Sequence, residues 1–186
     1  MAQIPTNPDN LSGQLLAAHP ALRDPNFRRR VVLIVSHSPE EGALGVIVNW
    51  SMEQTLANFD SSFSYEPLGK APLYRGGPVA PEQITLAAWS WKRDEGIFRL
   101  GFGIEPEQAT DLLEGGDCEV RAFLGCAGWG QGQLEEEMAE QSWMVAPVDT
   151  YLLGGARGSD LWRQIVGNVS PEMRLLADAP EDPTMN

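Results

Sequence analysis

A glycine-rich stretch in the second half of the sequence constrains the fold most. Four glycines fall within the eight residues from Gly125 to Gly132. They follow a segment of alternating character, Glu119–Leu124, that is typical of a strand, and they precede a helical pattern that runs from about Gln133 to Gln141. Glycine reaches positive φ without steric cost and lets another chain or a ligand approach its backbone closely. We therefore predict a strand, a loop and a helix, from Cys118 to Glu140, around which the rest of the chain is organised.

A loop of this kind can cradle a phosphate group, but the residues around it oppose that function. No Lys-Ser or Lys-Thr pair follows the glycines, and Glu135 stands where the third glycine of a dinucleotide motif would fall. The carboxylates of Glu135, Glu136 and Glu137 also occupy the start of the helix, where an anion would otherwise lie. Close packing of the loop, with Trp129 filling a groove, is the favoured interpretation, and the sequence predicts no cofactor.

Strand patterns outside the loop predict antiparallel pairing. Five successive aliphatic residues begin the segment Val31–His37, which is typical of a strand buried on both faces. The turn Ser38–Gly42 is too short for a crossover, so Leu44–Trp50 is expected to return antiparallel. A length of 186 residues fits one domain. We predict an α+β fold: a single domain, 1–186, with a mixed, largely antiparallel β-sheet core flanked by helices, and flexible tails at about 1–10 and 179–186.

Three serines are predicted to begin helices. Ser51 and Gln54 fit a capping box, which predicts a short helix that runs to about Phe59. Ser159 is the predicted cap of a later amphipathic helix, and Ser170 is the predicted cap of a last short one.

The charge of the chain limits the class of partner. Acidic residues number 26 against 13 basic ones, which gives a formal net charge of -13. This charge repels nucleic acid and anionic membrane surfaces at long range. We therefore expect a protein partner or a small molecule, and no direct binding to nucleic acid. The cluster Arg28–Arg30 is the one local exception, and we interpret it as a solvated loop.

Hydropathy and the N-terminus predict a cytoplasmic location and no membrane segment. The longest aliphatic run, Val31–Val35, is far shorter than the roughly 18 apolar residues that a spanning helix needs. Residues Met1–Asn10 contain neither a basic start nor an apolar stretch, so no secretory signal is expected.

The two cysteines, Cys118 and Cys126, are predicted to be reduced thiols. In an extended strand, about 3.3 Å per residue separates them by about 26 Å, whereas a disulfide requires Cα atoms within about 7 Å. Two interpretations of Cys126 remain open. It is either a small buried hydrophobic residue or a nucleophile whose pKa is lowered by the neighbouring helix N-terminus.

His37 is the candidate general base of the sequence. The only other histidine is His19, so no metal site is predicted, because such a site needs several convergent ligands. A lone histidine at a strand end is more often a hydrogen-bonded structural residue than a base. Its neighbour Ser36 points to the opposite face of the strand. We assign no catalytic residue from the sequence.

Four segments are weakly specific alone but distinctive in their joint order and spacing. They are Gly13–Ala17 with Pro20, Asp24 and Phe27; His37 with Gly42–Asn49; Tyr74–Val79; and Gly125–Glu137 followed by Trp143. In these segments the chain resembles the AlgH family, also called YqgE/AlgH, a group of bacterial proteins. The resemblance implies a compact mixed-sheet fold with helices packed around it and an association with transcriptional regulation. It brings no catalytic residues.

The resemblance also supplies a set of candidate binding residues. They are His37, Asn49, Gly76, Gly77, Pro78, Gly128, Trp129, Gly132, Gln133 and Glu135. Because loops carry a disproportionate share of functional residues, we expect this set to converge on one surface. We predict a module that acts on gene expression through a protein partner or a small ligand. One alternative is a hydrolase, with His37 as base and Cys126 or a water as nucleophile. The other is a structural assembly factor, which predicts an exposed apolar patch and a stable oligomer.

Overall fold

The computed structural model describes residues 10–92, 97–148, 152 and 157–179. The predicted flexible tails lie outside the described residues, apart from residues 10 and 179. In the part of the chain that is described, no helix is both long enough and apolar enough to cross a membrane.

The described residues form nine β-strands and five α-helices. The strands are β1 (Leu15–Ala18), β2 (Val31–Ser38), β3 (Gly42–Ile47), β4 (Ser51–Thr55), β5 (Pro72–Arg75), β6 (Val79–Lys92), β7 (Ile97–Phe102), β8 (Glu119–Trp129) and β9 (Trp143–Ala146). The helices are α1 (Leu56–Phe59), α2 (Pro106–Gly115), α3 (Gln133–Ala139), α4 (Gly158–Gly167) and α5 (Pro171–Asp178).

Strand β8 is the centre of the sheet because it pairs with three other strands. One path through the sheet has the order β4-β5-β8-β3-β2-β1-β9, and β6 also pairs with β8 and carries β7. Strands β5 and β8 run parallel. All the other strand pairs within the described ranges are antiparallel. The α+β prediction, with a mixed and largely antiparallel sheet flanked by helices, is therefore confirmed.

Strand β2 is buried on both faces, as its aliphatic run predicted. Val31 and Leu33 face a core that α4 and α5 cover. Val32 and Ile34 face a second core, which contains Trp129. A third cluster packs α2 against β5, β6 and β8. Burial of alternate residues of one strand in two different cores fixes the register of the hairpin, because a one-residue slip would exchange the two faces.

The prediction that a helix starts at Ser51 is wrong. Residues Ser51–Thr55 form β4, and the helix begins only at Leu56. Ser51 pairs with Tyr74 of β5, and its hydroxyl accepts a hydrogen bond from the Glu53 N–H at 3.1 Å. Pairing with a distant strand has overridden the local capping signal, which is the usual way that tertiary structure defeats propensity.

The two other predicted caps had different outcomes. Ser159 lies inside the first turn of α4, whose N-cap is Arg157, so that prediction is wrong by two residues. Ser170 is the N-cap of α5, as predicted, and its hydroxyl accepts a hydrogen bond from the Met173 N–H at 3.2 Å.

Most of the glycine-rich segment that was predicted to be a loop is strand. Strand β8 continues from Glu119 through Trp129, because Ala127 and Gly128 pair with Gly45 and Leu44 of β3. Only residues 130–132 form the turn into α3. Pairing with a strand far earlier in the sequence therefore converts a flexible-looking segment into the centre of the sheet.

Candidate functional site

The chain crosses over β8 at Gly76 and Gly77. Residues 122–124 of β8 each pair with β5 and with β6, so these two strands lie on opposite edges of β8. A Cβ on Gly76 would lie 2.1 Å from the carbonyl oxygen of Gly125, and a Cβ on Gly77 would lie 2.2 Å from that of Cys126. The crossing therefore requires glycine. The close approach to the glycine-rich segment is made by the backbone of this same chain.

The crossing brings four successive apolar residues to the surface. Pro78, Val79, Ala80 and Pro81 are all exposed, and Val79 has 47% of its surface accessible. Val79 pairs with Cys126 in β8. Ala80 has a φ of 45°, a left-handed conformation that persists in a non-glycine residue only where its surroundings fix it. We call Pro78–Pro81 the apolar ridge.

Cys126 lies beside the apolar ridge, on the neighbouring strand, as a half-buried thiol. Cys118 and Cys126 are both free, as predicted. Burial raises the pKa of Cys126, because desolvation disfavours the charged thiolate. This direction is opposite to the one that the nucleophile interpretation requires, and it favours the small buried hydrophobic residue.

His37 is held between two hydrogen bonds. Its Nδ1 accepts the Leu11 N–H at 3.0 Å, which places the proton of the neutral ring on Nε2. That Nε2–H donates to Oε1 of Glu135, at the start of α3, at 2.7 Å. The side chain of His37 is only 1% exposed. His37 thus ties the segment before β1 to α3, and the hydrolase alternative would need these bonds to open.

Glu137 is an acceptor for three side chains. Its Oε2 accepts hydrogen bonds from Nε1 of Trp129 at 2.9 Å and from Nε1 of Trp143 at 2.7 Å. Its Oε1 accepts one from Nε2 of Gln133, also at 2.9 Å. The sequence analysis did not distinguish Glu137 from its acidic neighbours. The available signal was its spacing of four residues after Gln133, which places both on one helix face.

Trp129 is a core residue with 6% of its surface exposed. Its ring stacks on Phe27 with centroids 6.1 Å apart, and it meets Trp143 edge-on at 5.8 Å. The neighbouring Gln133 accepts the N–H of Gly130 and so closes the turn before α3. These contacts support the packing interpretation of the glycine-rich segment.

Asn49 lies at the opposite end of the β2–β3 hairpin from His37. The Oδ1 of Asn49 accepts the Val31 N–H at 2.8 Å, so Asn49 lies beside the first residue of β2. His37 lies six residues further along this strand, at a distance of about 20 Å. Its Nδ2 donates to the carbonyl oxygens of Arg29 and Gly158, both at 3.0 Å. Asn49 is therefore separated from His37, and it joins the start of β2 to the start of α4. It lies close to Gly76, because the Ile47 N–H donates to the Gly76 carbonyl oxygen at 2.8 Å.

The remaining candidate residues group around the C-terminal half of β8. His37 and Trp129 lie in one row of the sheet, because both pair with Ala43. Gly128 is exposed, and Gly132 precedes α3 with a φ of 72°. No group of three His, Cys, Asp or Glu side chains is placed to hold a metal ion within the described ranges. A binding role for the whole set stays a prediction.

Comparison with known proteins identifies the family to which this chain belongs. Residues 15–174 match the family model described as AlgH-like (DUF179). The chain belongs to the AlgH-like family. It is 38% identical to a UPF0301 protein from Xanthomonas oryzae pv. oryzae and 39% identical to one from Xanthomonas campestris pv. campestris. Each match covers 92% of this chain and 95% of the relative.

Two solved structures share the fold of this AlgH-like protein. Protein DIP2367 from Corynebacterium diphtheriae matches with a TM-score of 0.66 and 26% identity, over 91% of this chain and 92% of that one. The solution structure of AlgH from Pseudomonas aeruginosa matches with a TM-score of 0.64, over 98% of this chain and 100% of that one. At 23% identity the second likeness speaks for the fold alone.

Proposed function

We propose that this AlgH-like protein is a regulatory binding module that acts on gene expression by contacting a protein partner through the apolar ridge. The observation that supports this most is the run of four exposed apolar residues, Pro78–Pro81, beside the crossing. Contiguous exposed apolar residues mark interaction sites on folded proteins. The link to gene expression rests on the resemblance to the AlgH family.

The geometry of the apolar ridge favours a protein partner over a small ligand. A small molecule binds in a concave site that encloses most of its surface, whereas all four residues of the apolar ridge are exposed. A Cβ on Gly125 would lie 2.8 Å from the Val79 carbonyl oxygen and 3.0 Å from the Pro81 Cα, so the backbone of the ridge rests directly on β8. Such an ordered surface loses little further conformational entropy when it binds.

The charge of the molecule favours a protein partner over DNA. At a net charge of -13, the approach to a polyanion is opposed at long range, and the counterion release that drives non-specific DNA binding needs cationic contacts. We therefore place the regulatory step in a protein–protein contact.

The test is complementation of a deletion strain. Val79→Glu puts a charge at the centre of the apolar ridge, and Val169→Glu is the matched control, because Val169 is 54% exposed and lies between α4 and α5. At equal protein levels, the wild type and the control should restore the transcript profile and Val79→Glu should not. Full restoration by Val79→Glu would contradict the role of the ridge. Binding of the purified protein to random-sequence duplex DNA at physiological salt would contradict the protein-contact route.

A further inference from the structure

An arginine-lined cavity lies at the end of the molecule where Asn49 joins β2 to α4. Its volume is about 340 Å³, and its lining residues are Arg23, Pro25, Arg28, Arg29, Arg30 and Ser159. Four of the 13 basic residues of the chain thus line one cavity in a protein whose net charge is -13. The sequence analysis interpreted Arg28–Arg30 as a solvated loop. The wall that turns this loop into a cavity comes from Ser159, which is far away in the sequence.

Two of the four guanidinium groups are held in place by aromatic rings. The guanidinium carbon of Arg29 lies 5.3 Å from the centroid of the Trp162 ring, and its Nη2 donates to the Ala179 carbonyl oxygen at 2.6 Å. The guanidinium carbon of Arg30 lies 3.8 Å from the centroid of the Trp50 ring. A guanidinium group stacked on a ring loses less side-chain entropy when it binds an anion.

Asn49 does not line the cavity, but its side chain holds two sides of the cavity in position. Its Nδ2 donates to the carbonyl oxygens of Arg29 and Gly158, so one side chain fixes the distance between the arginine loop and the start of α4. Arg29 has a φ of 58°. A non-glycine residue keeps such a strained conformation where the surrounding structure imposes it. Asn49, which the sequence analysis assigned to a binding surface, therefore has a structural role.

Two carboxylates that neighbour the lining residues in the described part of the chain, those of Asp24 and Asp160, have other partners. Oδ1 of Asp24 accepts the Asn26 N–H at 2.8 Å, and Oδ1 of Asp160 pairs with Nη1 of Arg163 at 3.0 Å. Neither aspartate lines the cavity. The residues of Arg28–Arg30 also make further interactions within the chain. A bound anion would join these interactions and add to them.

We propose that this cavity binds a small phosphate-bearing molecule of about the size of a diphosphate. The planar fork of arginine matches phosphate oxygens with two parallel hydrogen bonds, and several cationic groups around one site match an anion of high charge. A volume of about 340 Å³ lies at the lower end of the range for small-molecule sites, about 300–1,000 Å³, which fits an anion of the size of diphosphate. No residue of the apolar ridge lines this cavity, so the proposal stands independently of the proposed function.

The test is calorimetric titration of the full chain with inorganic diphosphate at about 150 mM salt, where distant surface charges are screened. The variant Arg23→Gln/Arg28→Gln removes two exposed lining residues. The control Lys70→Gln/Arg99→Gln removes two exposed charges elsewhere. We expect the cavity variant to weaken diphosphate binding at least about tenfold, as loss of charge-assisted hydrogen bonds implies, and the control to change it less than about twofold. The backbone amide NMR signals of Arg29, Arg30 and Ser159 should shift on titration.

Three results would overturn the proposal. The first is no heat and no NMR shift at millimolar diphosphate. The second is equal loss of binding in the cavity variant and the control, which would mean a response to overall charge. The third is binding of citrate or of a short single-stranded RNA as tight as that of diphosphate, since either would show that phosphate of this size is not what the cavity selects.

Discussion

Glu137 is the single residue on which the packing around α3 depends most. It accepts the indole N–H groups of Trp129 and Trp143, whose side chains are 6% and 4% exposed. Glu137→Ala would leave both donors without their acceptor. Because each buried unsatisfied donor costs about 1–3 kcal/mol, we expect the free energy of unfolding in urea to fall by about 2–4 kcal/mol.

The matched control for this change is Glu136→Ala. Glu136 is the exposed neighbour on the same helix, so its loss should change stability by less than about 0.5 kcal/mol. Equal effects of the two variants would show that the three hydrogen bonds of Glu137 contribute nothing specific.

The raised pKa of Cys126 makes a prediction about reactivity. Burial favours the thiol form of Cys126, so at any pH below its pKa it holds less thiolate than an exposed thiol does. In a Cys118→Ser background, we expect iodoacetamide to alkylate Cys126 more slowly than it alkylates glutathione at pH 8. The same shift stabilises the fold below the ordinary pKa of a thiol, and this contribution is lost as the pH rises through the folded pKa. Alkylation faster than that of glutathione would restore the nucleophile interpretation.

The role of His37 could be decided only from the structure. His37 was interpreted as a base or a structural residue, and its hydrogen bonds to Leu11 and Glu135 are those of a structural residue. Neither partner was predictable, because one lies 26 residues away and the other 98. A sequence shows that a histidine has two nitrogens to satisfy, but not which distant groups satisfy them.

At the scale of elements, the crossing of β8 gives the sharpest test. Gly76 does not have a positive φ, so what forbids a side chain is close contact, above all with the carbonyl oxygen of Gly125, 2.1 Å from the position of a Cβ. Gly76→Ala should destabilise the protein by about 3 kcal/mol or more, since β8 has no room to move. Thermal unfolding followed by circular dichroism measures this directly.

Gly115→Ala is the control for the crossing. A Cβ on Gly115, the last residue of α2, meets nothing within 4 Å. Alanine has the higher helix propensity there, so stability should stay the same or rise slightly. If Gly76→Ala were tolerated as well as Gly115→Ala, the backbones would not be in contact at the crossing.

Asn49 links two elements, and its amide is what makes the link. In Asn49→Asp, a carboxylate would face the carbonyl oxygens of Arg29 and Gly158 in place of a donor. We expect a loss of about 3 kcal/mol in urea unfolding, because the repulsion adds to the lost hydrogen bonds. The control is Asn10→Asp, where the oxygen that accepts the Ser12 N–H is retained and stability should be unchanged. A mild effect at Asn49 would contradict its role as a link.

The elements that the sequence predicted well are those determined by local pattern. The β2–β3 hairpin follows from an aliphatic run and a short turn, and the start of α5 follows from its capping residue Ser170. The failures are non-local. Ser51 became strand because it pairs with Tyr74, and residues 125–129 became strand because β3 and β6 pair with them. Local propensity does not register such partners.

At the scale of the whole molecule, the fold was predictable and the sites were only partly so. Strand and helix patterns gave the α+β architecture, because each follows the period of its own side chains. The apolar ridge and the arginine-lined cavity depend on how distant segments meet. Pro78 was in the candidate set but Pro81 was not, and the cavity needs Ser159 to close the loop of Arg28–Arg30. Juxtapositions of this kind are properties of the tertiary structure.

The central claim is that the apolar ridge contacts a protein that controls gene expression. Photocrosslinking in living cells tests it most directly, with benzoylphenylalanine introduced in place of Val79 and, as the control, in place of Val169, which is exposed to a similar extent. The account predicts a discrete adduct with a protein of the transcription machinery from position 79 and none from position 169. No adduct at position 79, or the same adducts from both positions, would contradict it.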